Sequence, residues 1–137
     1  MSDCIFCKIV GKEIPATIVH EEDDVLVFMD IRPIIKGHAL VVSKKHYDPV
    51  TETPDDILTK LHLMAKRIAQ AQMNALGADG VNIMQNNGAA SGQEVPHIHV
   101  HVIPRFNEDG HHWNWNAKKY ADFEEMTDLA GKLQQQL

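Results

Sequence analysis

The sequence predicts an α+β protein. Short apolar runs with strand character flank a single long amphipathic stretch, and no strand–helix–strand unit repeats along the chain. Residues 25–30 (VLVFMD) read as a buried strand. Residues 39–43 (ALVVS) read as a second, entered through a turn at Lys36 and Gly37. Thr53, Pro54, Asp55 and Asp56 together form a helix start, with Thr as N-cap, Pro in the first turn and acids beside the positive end of the dipole. Ile57, Leu61, Met64, Ile68 and Leu76 then follow a helical period, and Gly77 supplies a stop. Residues 81–85 (VNIMQ) form a short strand, and residues 86–93 have loop composition. Residues 97–103 alternate strictly and read as a strand closed by Pro104. Phe123, Met126, Leu129 and Leu133 mark a last helix, weakened by Gly131.

The chain has 137 residues, enough for one domain with its own core and no disulfide staples, and we expect residues 1–137 to form a single domain. Apolar residues make up 44% and charged residues 23%, which excludes global disorder. The net charge of −6 argues against a broad nucleic-acid surface, so any polyanion must sit in a local site. No apolar run reaches membrane-spanning length, and residues 1–4 carry no basic region leading into an apolar stretch. The expectation is a cytoplasmic protein with neither nucleic-acid nor membrane partners.

Nine histidines are many for this length, and three fall on the strand His97-Ile-His99-Val-His101-Val-Ile103. Alternate strand residues share a face, so the imidazoles point one way, roughly 6–7 Å apart, while Ile98, Val100 and Val102 point into the core. A solvated face mixes Thr, Lys and Glu. Three imidazoles carry desolvation cost and repel one another when protonated, so the pattern points to catalysis or metal binding. Upstream, Gly88-Ala-Ala-Ser-Gly92-Gln93-Glu94 offers two glycines and a hydroxyl, whose backbone N–H groups suit a small anion site beside the rings.

These residues resemble the histidine triad (HIT) family of nucleotide hydrolases and transferases. The signature His-φ-His-φ-His-φ-φ, with φ apolar, is complete at 97–103. Asn86, Gly92-Gln93, Phe28-Met-Asp30-Ile31-x-Pro33, Gly37-His38-Ala-Leu-Val-Val and Ile5-Phe6-Cys7-Lys8-Ile9-x-x-x-Glu13-Ile14-Pro15 also fit, in order. The resemblance covers about residues 4–105 and leaves the tail 106–137 unassigned. It implies a HIT-like fold with an antiparallel sheet of about five strands, one long helix and a C-terminal helix. It also implies His99 as nucleophile on the α-phosphorus of a purine nucleotide conjugate. His101 and His38 would meet the phosphate oxygens and Gln93 an oxygen near the scissile bond. Asp30 would take the ribose hydroxyls, and Asn86 would orient the phosphate or ribose. Ile5, Phe6, Ile9, Ile14, Phe28 and Ile31 would form the slot for the base. Ordinary core packing is the competing explanation for those six, a turn role for Asn86. One position departs from the eukaryotic branch: Glu94 stands where a hydroxyl residue assists the leaving group. A carboxyl can be the acid only if its pKa is raised, and when ionised it repels an anionic leaving group.

Cys4-x-x-Cys7 is ambiguous on its own. A redox pair normally follows a strand in a βαβ setting, and a disulfide does not suit a cytosolic chain. Zinc commonly takes two Cys and two His, and His46 and His97 are the nearest candidates. The resemblance to the zinc-bearing, bacterial-type branch implies Cys4, Cys7, His46 and His97 as a structural site that anchors the N-terminus to the catalytic strand. His62 reads as helix surface, and Trp113 and Trp115 either cap a partner's pocket or pack on this chain's own body.

The leading expectation is therefore a homodimeric hydrolase, with dimerisation carried by the resemblance alone. It would cleave phosphoramidates or dinucleoside polyphosphates through a nucleotidyl-histidine and release the nucleoside monophosphate. Two alternatives stand beside it: a metal-dependent enzyme ligated by His97, His99 and His101, and a nucleotide-binding interaction module with vestigial catalysis.

Overall fold

A computed structural model describes residues 3–137. Its elements are α1 (Ile5–Val10), β1 (Ile18–Glu21), β2 (Val25–Met29), β3 (Ala39–Ser43), α2 (Asp55–Leu76), β4 (Gly80–Met84), β5 (His99–Arg105) and α3 (Phe123–Gln134). The strands form one fully antiparallel sheet in the order β1-β2-β3-β5-β4. The α+β expectation holds.

Strand periodicity sorts the sheet into two apolar faces. Val25, Val27, Ala39, Val41, Val100 and Val102, joined by Ile98, pack on Ile57, Leu61, Met64, Ala65 and Ile68 of α2. The opposite residues, Leu26, Phe28, Leu40 and Val42, pack on Phe6 and Ile9 of α1. Central strand β3 is buried along its whole length, as its continuous apolar run requires. The histidines alternate with Val100 and Val102, so they lie on the α1 face.

Several expectations need correction. Thr53 does not cap α2. Its hydroxyl donates to the Pro49 carbonyl at 2.9 Å, and Pro54 occupies the cap position with no side-chain bond, so the acids of the first turn act alone on the helix end. Strand β2 stops at Met29 rather than 30, and β4 spans Gly80–Met84 rather than 81–85. The histidine strand begins at His99, not His97, and runs through Pro104, which sits opposite Val81. His97 instead lies in a bend before the strand, where its N–H bonds to the Val95 carbonyl at 2.9 Å. Leu76 completes the helical period in sequence but is half exposed, while Gln72 takes the buried place. Two elements escaped the sequence reading. Strand β1 is a mostly exposed edge without apolar alternation. Helix α1 is one short turn-and-a-half, capped by the Cys4 sulfur, which accepts from the Cys7 N–H. Gly77 ends α2 in the left-handed conformation, as its lack of a Cβ allows. Helix α3 forms despite Gly131, capped by Asp122 accepting from the Glu125 N–H at 2.8 Å.

In the tail, Arg105 binds both carboxylate oxygens of Asp109 at 2.8 and 3.1 Å, Asn82 at 2.8 Å and the His111 carbonyl at 2.7 Å. Trp113 donates to Asn82 at 3.1 Å and packs edge-on against His111. Trp113 thus packs on this chain's own sheet edge, while Trp115 is 82% exposed. Among the described residues, no helix is long and apolar enough to cross a membrane.

Candidate functional site

The histidines of β5 open onto a cleft of about 440 Å³ between the sheet, α1 and the loops after β2 and β4. His38, His99 and His101 line it together with Asp30, Asn86 and Gln93. Ile5, Phe6, Ile9, Ile14, Phe28 and Ile31 form its apolar wall. All twelve residues expected for catalysis and nucleotide binding therefore meet in one cavity. Phe6, Ile9 and Phe28 are also core, whereas Ile5 and Ile31 are 46% and 91% exposed, so core packing does not explain those two. Phe6 stands edge-on to both Phe28 and His99, with ring centres 5.5 and 5.0 Å apart.

Hydrogen bonds assign the ring protons. His99 Nδ1–H donates to the His97 carbonyl at 2.6 Å, which leaves Nε2 with a free lone pair. His38 Nδ1 accepts from the Ile34 N–H at 3.2 Å, so its Nε2 carries the proton and donates to His101 Nδ1 at 2.9 Å. His101 in turn holds its proton on Nε2. Burial pushes His99 and His38 below the ordinary histidine range. It takes His101 to about 4, reinforced by His99 and His38. All three rings are neutral at pH 7. Asp30 sits beside them, one oxygen accepting from the Arg32 N–H at 2.9 Å and the other 3.7 Å from His38 Nε2.

Asp30, His38 and His101 bring three donor atoms within 4.8 Å, a spacing that a metal could use. The tautomers oppose it: His38 Nε2 already carries its proton, because Nδ1 is occupied by the Ile34 N–H. Nor do His97, His99 and His101 converge. His99 spends Nδ1 on a carbonyl, His101 turns to His38, and His97 turns to the cysteines.

Gln93 lines the cleft with both ends of its amide engaged. Oε1 accepts from the Gly88 N–H at 2.8 Å, and Nε2 donates to Asp48 at 2.7 Å. One Nε2 proton is left for an oxygen in the cleft. Glu94 is exposed at the cleft wall. Asp48 was not foreseen; it gives no pattern in sequence, being a lone acid in a polar loop.

Beyond Phe6, the donor atoms of Cys4, Cys7, His46 and His97 all lie within 4.8 Å of one another. Tetrahedral zinc with ordinary bond lengths needs a sulfur–nitrogen edge of about 3.6 Å. The edges here are 3.4 Å for Cys4 to His97, 3.4 Å for Cys7 to His46 and 3.6 Å for Cys7 to His97. His97 Nε2–H donates to the Ser43 carbonyl at 2.7 Å, which bares Nδ1 toward the sulfurs, the outer-shell bond that metal-ligating histidines make. The donor set fits zinc and leaves no open position. His97 then has two ends: its ring faces the cysteines and its carbonyl holds His99.

The sequence profile of the HIT domain matches residues 11–108. The chain is 47% identical over 123 residues to an uncharacterized HIT-like protein, MJ0866, of Methanocaldococcus jannaschii, covering 90% of this chain and 95% of that one. It is 39% identical over 135 residues to the adenosine 5'-monophosphoramidase HNT1 of Saccharomyces cerevisiae, covering 98% and 80%. Among solved structures, SMU.412c from Streptococcus mutans UA159 superposes with a TM-score of 0.91 at 40% identity over 99% of this chain and 86% of that one. A zinc-bound histidine triad family protein from Mycobacterium smegmatis superposes at 0.76 with 35% identity over 96% and 98%. Fold, motif order and sequence relationship agree, and the chain belongs to the HIT family.

Proposed function

We propose that this protein is a nucleotide hydrolase that cleaves purine nucleoside phosphate conjugates through a covalent intermediate on His99. The observation that carries the reading is the bare Nε2 of His99, fixed by the 2.6 Å bond from Nδ1 to the His97 carbonyl and facing a cleft with an apolar wall. The Nε2 lone pair attacks the α-phosphorus and the bond to the leaving group breaks. A departing amine takes a proton from water at the open mouth of the cleft. Water then attacks the nucleotidyl-histidine and gives its proton to the hydroxide left by the first step, the P–N bond to the ring breaks, and the ring recovers its lone pair as the nucleoside monophosphate leaves. His101 Nε2–H and the spare Gln93 proton donate to oxygens that gain charge in the transition state. Asp30 and Asn86 hold the sugar and phosphate, and the apolar wall takes the base. The family relationship to a protein named adenosine 5'-monophosphoramidase supports the substrate class.

Between phosphoramidates and dinucleoside polyphosphates, Glu94 favours the former. Its exposed carboxylate on the cleft wall repels a polyanionic leaving group and tolerates an amine. The Cys4, Cys7, His46 and His97 cluster holds a structural zinc, which supplies no chemistry to the step. Residues 1–137 act as one domain, paired as a homodimer through the apolar face of α3. A cytoplasmic setting, which keeps thiols reduced, would leave Cys4 and Cys7 available to the metal.

The test is turnover of adenosine 5′-phosphoramidate and of a diadenosine polyphosphate in the presence of EDTA, followed by release of AMP, with acid-quenched protein weighed by mass spectrometry. Turnover without added magnesium and an adenylyl adduct on His99 are expected. Activity that returns only with Mg²⁺ or Mn²⁺ would favour a metal-dependent enzyme. Tight AMP binding with no turnover of either substrate class would leave a binding module.

A further inference from the structure

Gln72 is the one polar residue in the buried stripe of α2, between Ile68 and the exposed Leu76. Helical period alone would put a leucine there, and an amide in that place needs hydrogen bonds to offset its desolvation. Its Nε2 donates to two carbonyls, Gly37 at 3.0 Å and Val102 at 2.9 Å, while its Oε1 is buried without a partner, so the two donated bonds are what hold the amide there. Those residues adjoin the ring pair in the cleft: Gly37 precedes His38, and Val102 follows His101. The sheet does not make this tie itself. The register sets Ala39 opposite Val102 and ends there. Continued outward it would place Gly37 opposite Pro104, which has no N–H to give. The segment is also closely fitted. Gly37 has φ +104°, and a Cβ on it would come within 2.8 Å of Leu76 and 3.0 Å of Pro104.

We propose that Gln72 is a positioning residue for the reaction: from the far face of the sheet, its amide replaces the missing rung between Gly37 and β5 and so holds His38 at hydrogen-bonding distance from His101. This rests on the reading that His38 and His101 serve the phosphate. Without the tie, the His38 segment keeps its own turn and the bond from the Asp30 N–H to the His38 carbonyl at 3.0 Å, but on the β5 side nothing holds Gly37, and the 2.9 Å contact between the rings loosens. A group displaced by about 1 Å in a site of this kind costs on the order of a hundredfold in rate.

The experiment compares Gln72→Met, which keeps length and removes both donors, with Ile68→Val one turn earlier in the same core. Turnover of adenosine 5′-phosphoramidate, melting temperature and the imidazole NMR signals of the full chain are measured on each. Gln72→Met should lower kcat at least tenfold with KM within threefold, and the His38 Nε2–H resonance should lose its hydrogen-bonded position. Ile68→Val should lower the melting temperature and leave both readouts in place. A Gln72→Met protein with wild-type kcat and an unmoved His38 resonance would overturn the proposal. If Gln72→Met does not fold, Gln72→Glu keeps the shape and restores at most one donor; reduced kcat at constant KM supports the proposal, and full kcat overturns it. Should the wild type fail to turn over the substrate, the functional reading fails, while the His38 resonance still decides the role of Gln72.

Discussion

At the residue scale, the site depends on which nitrogen of each ring carries a proton. His99 is useful because its Nδ1 proton is tied to a main-chain carbonyl, which no side-chain motion can withdraw. Among the three histidines of the cleft, His99 alone keeps an unengaged ring-nitrogen lone pair, so His99→Ala should lower kcat by several orders of magnitude while AMP still binds by isothermal calorimetry. A loss of less than about tenfold, roughly 1.4 kcal/mol in barrier, would remove His99 from the nucleophile's role. Burial also gives His101 a stability signature. The ring titrates near 4 in the fold and near about 6.5 in an unfolded chain. As pH falls, the unfolded state takes up the proton first. The fold therefore keeps its full stability above about 6.5 and loses the His101 share between about 6.5 and 4. Replacing His101 with Gln should make the drop in melting temperature between pH 7 and 4.5 smaller than in wild type; an unchanged drop would show that the ring does not titrate as its burial requires. The residues of the cleft were readable from sequence because each motif fixes an identity at a spacing. Gln72, Ser43 and Asp48 were not, because their roles depend on which backbone carbonyl or amide lies across space.

At the element scale, β5 joins the two chemistries. The bend residue His97, two residues before its start, turns its ring to the cysteines and its carbonyl to His99. Strict alternation of residues 97–103 correctly put the three histidines on one face and Ile98, Val100 and Val102 in the core, but it could not show that pairing starts only at His99. That boundary is set by the bend at 95–97 and by the bond from the Ile98 N–H to the Tyr47 carbonyl at 2.7 Å. Helix α1 and strand β1 were missed for opposite reasons. One is too short for a helical period, and its cap is a cysteine rather than Ser, Thr or Asp. The other is an exposed edge with no apolar face to alternate. Zinc at the α1 cap predicts a measurable coupling between these elements. Protein purified without chelator should carry about one zinc per chain by elemental analysis, and Cys4→Ser should lower both zinc content and melting temperature. The same variant should reduce turnover less than His99→Ala, because it reaches the nucleophile only through His97. Zinc-free protein with both thiols reactive, and a melting temperature indifferent to added zinc, would overturn the site and leave the phosphoryl chemistry standing.

At the scale of the whole molecule, the body and the tail are built differently. Residues 5–105 bury two apolar faces on one sheet, whereas α3 buries none of its residues against its own chain. Its apolar side, Phe123, Met126, Leu129 and Leu133, is between 40% and 78% exposed. A helix of 12 residues is marginal on its own in water, so its stability must come from packing. The sequence made the helix and its apolar stripe legible, but not its partner, because a stripe states that a face is to be covered without saying by what. A second copy of the chain is the economical cover: it would bring two such stripes together and leave no unpaired one. Light scattering should then give a mass near twice 15.4 kDa at micromolar concentration. Hydrogen exchange adds the discriminating measurement. If α3 is folded by association, its amides should be protected at high concentration and lose protection on dilution in step with dissociation, while β3 and β5 keep theirs. Met126→Glu should shift that transition to higher concentration, since it places a charge in the centre of the covered stripe. A protein that stays at the mass of one chain over this range, with α3 exchanging as an unstructured segment would, defeats the homodimer reading.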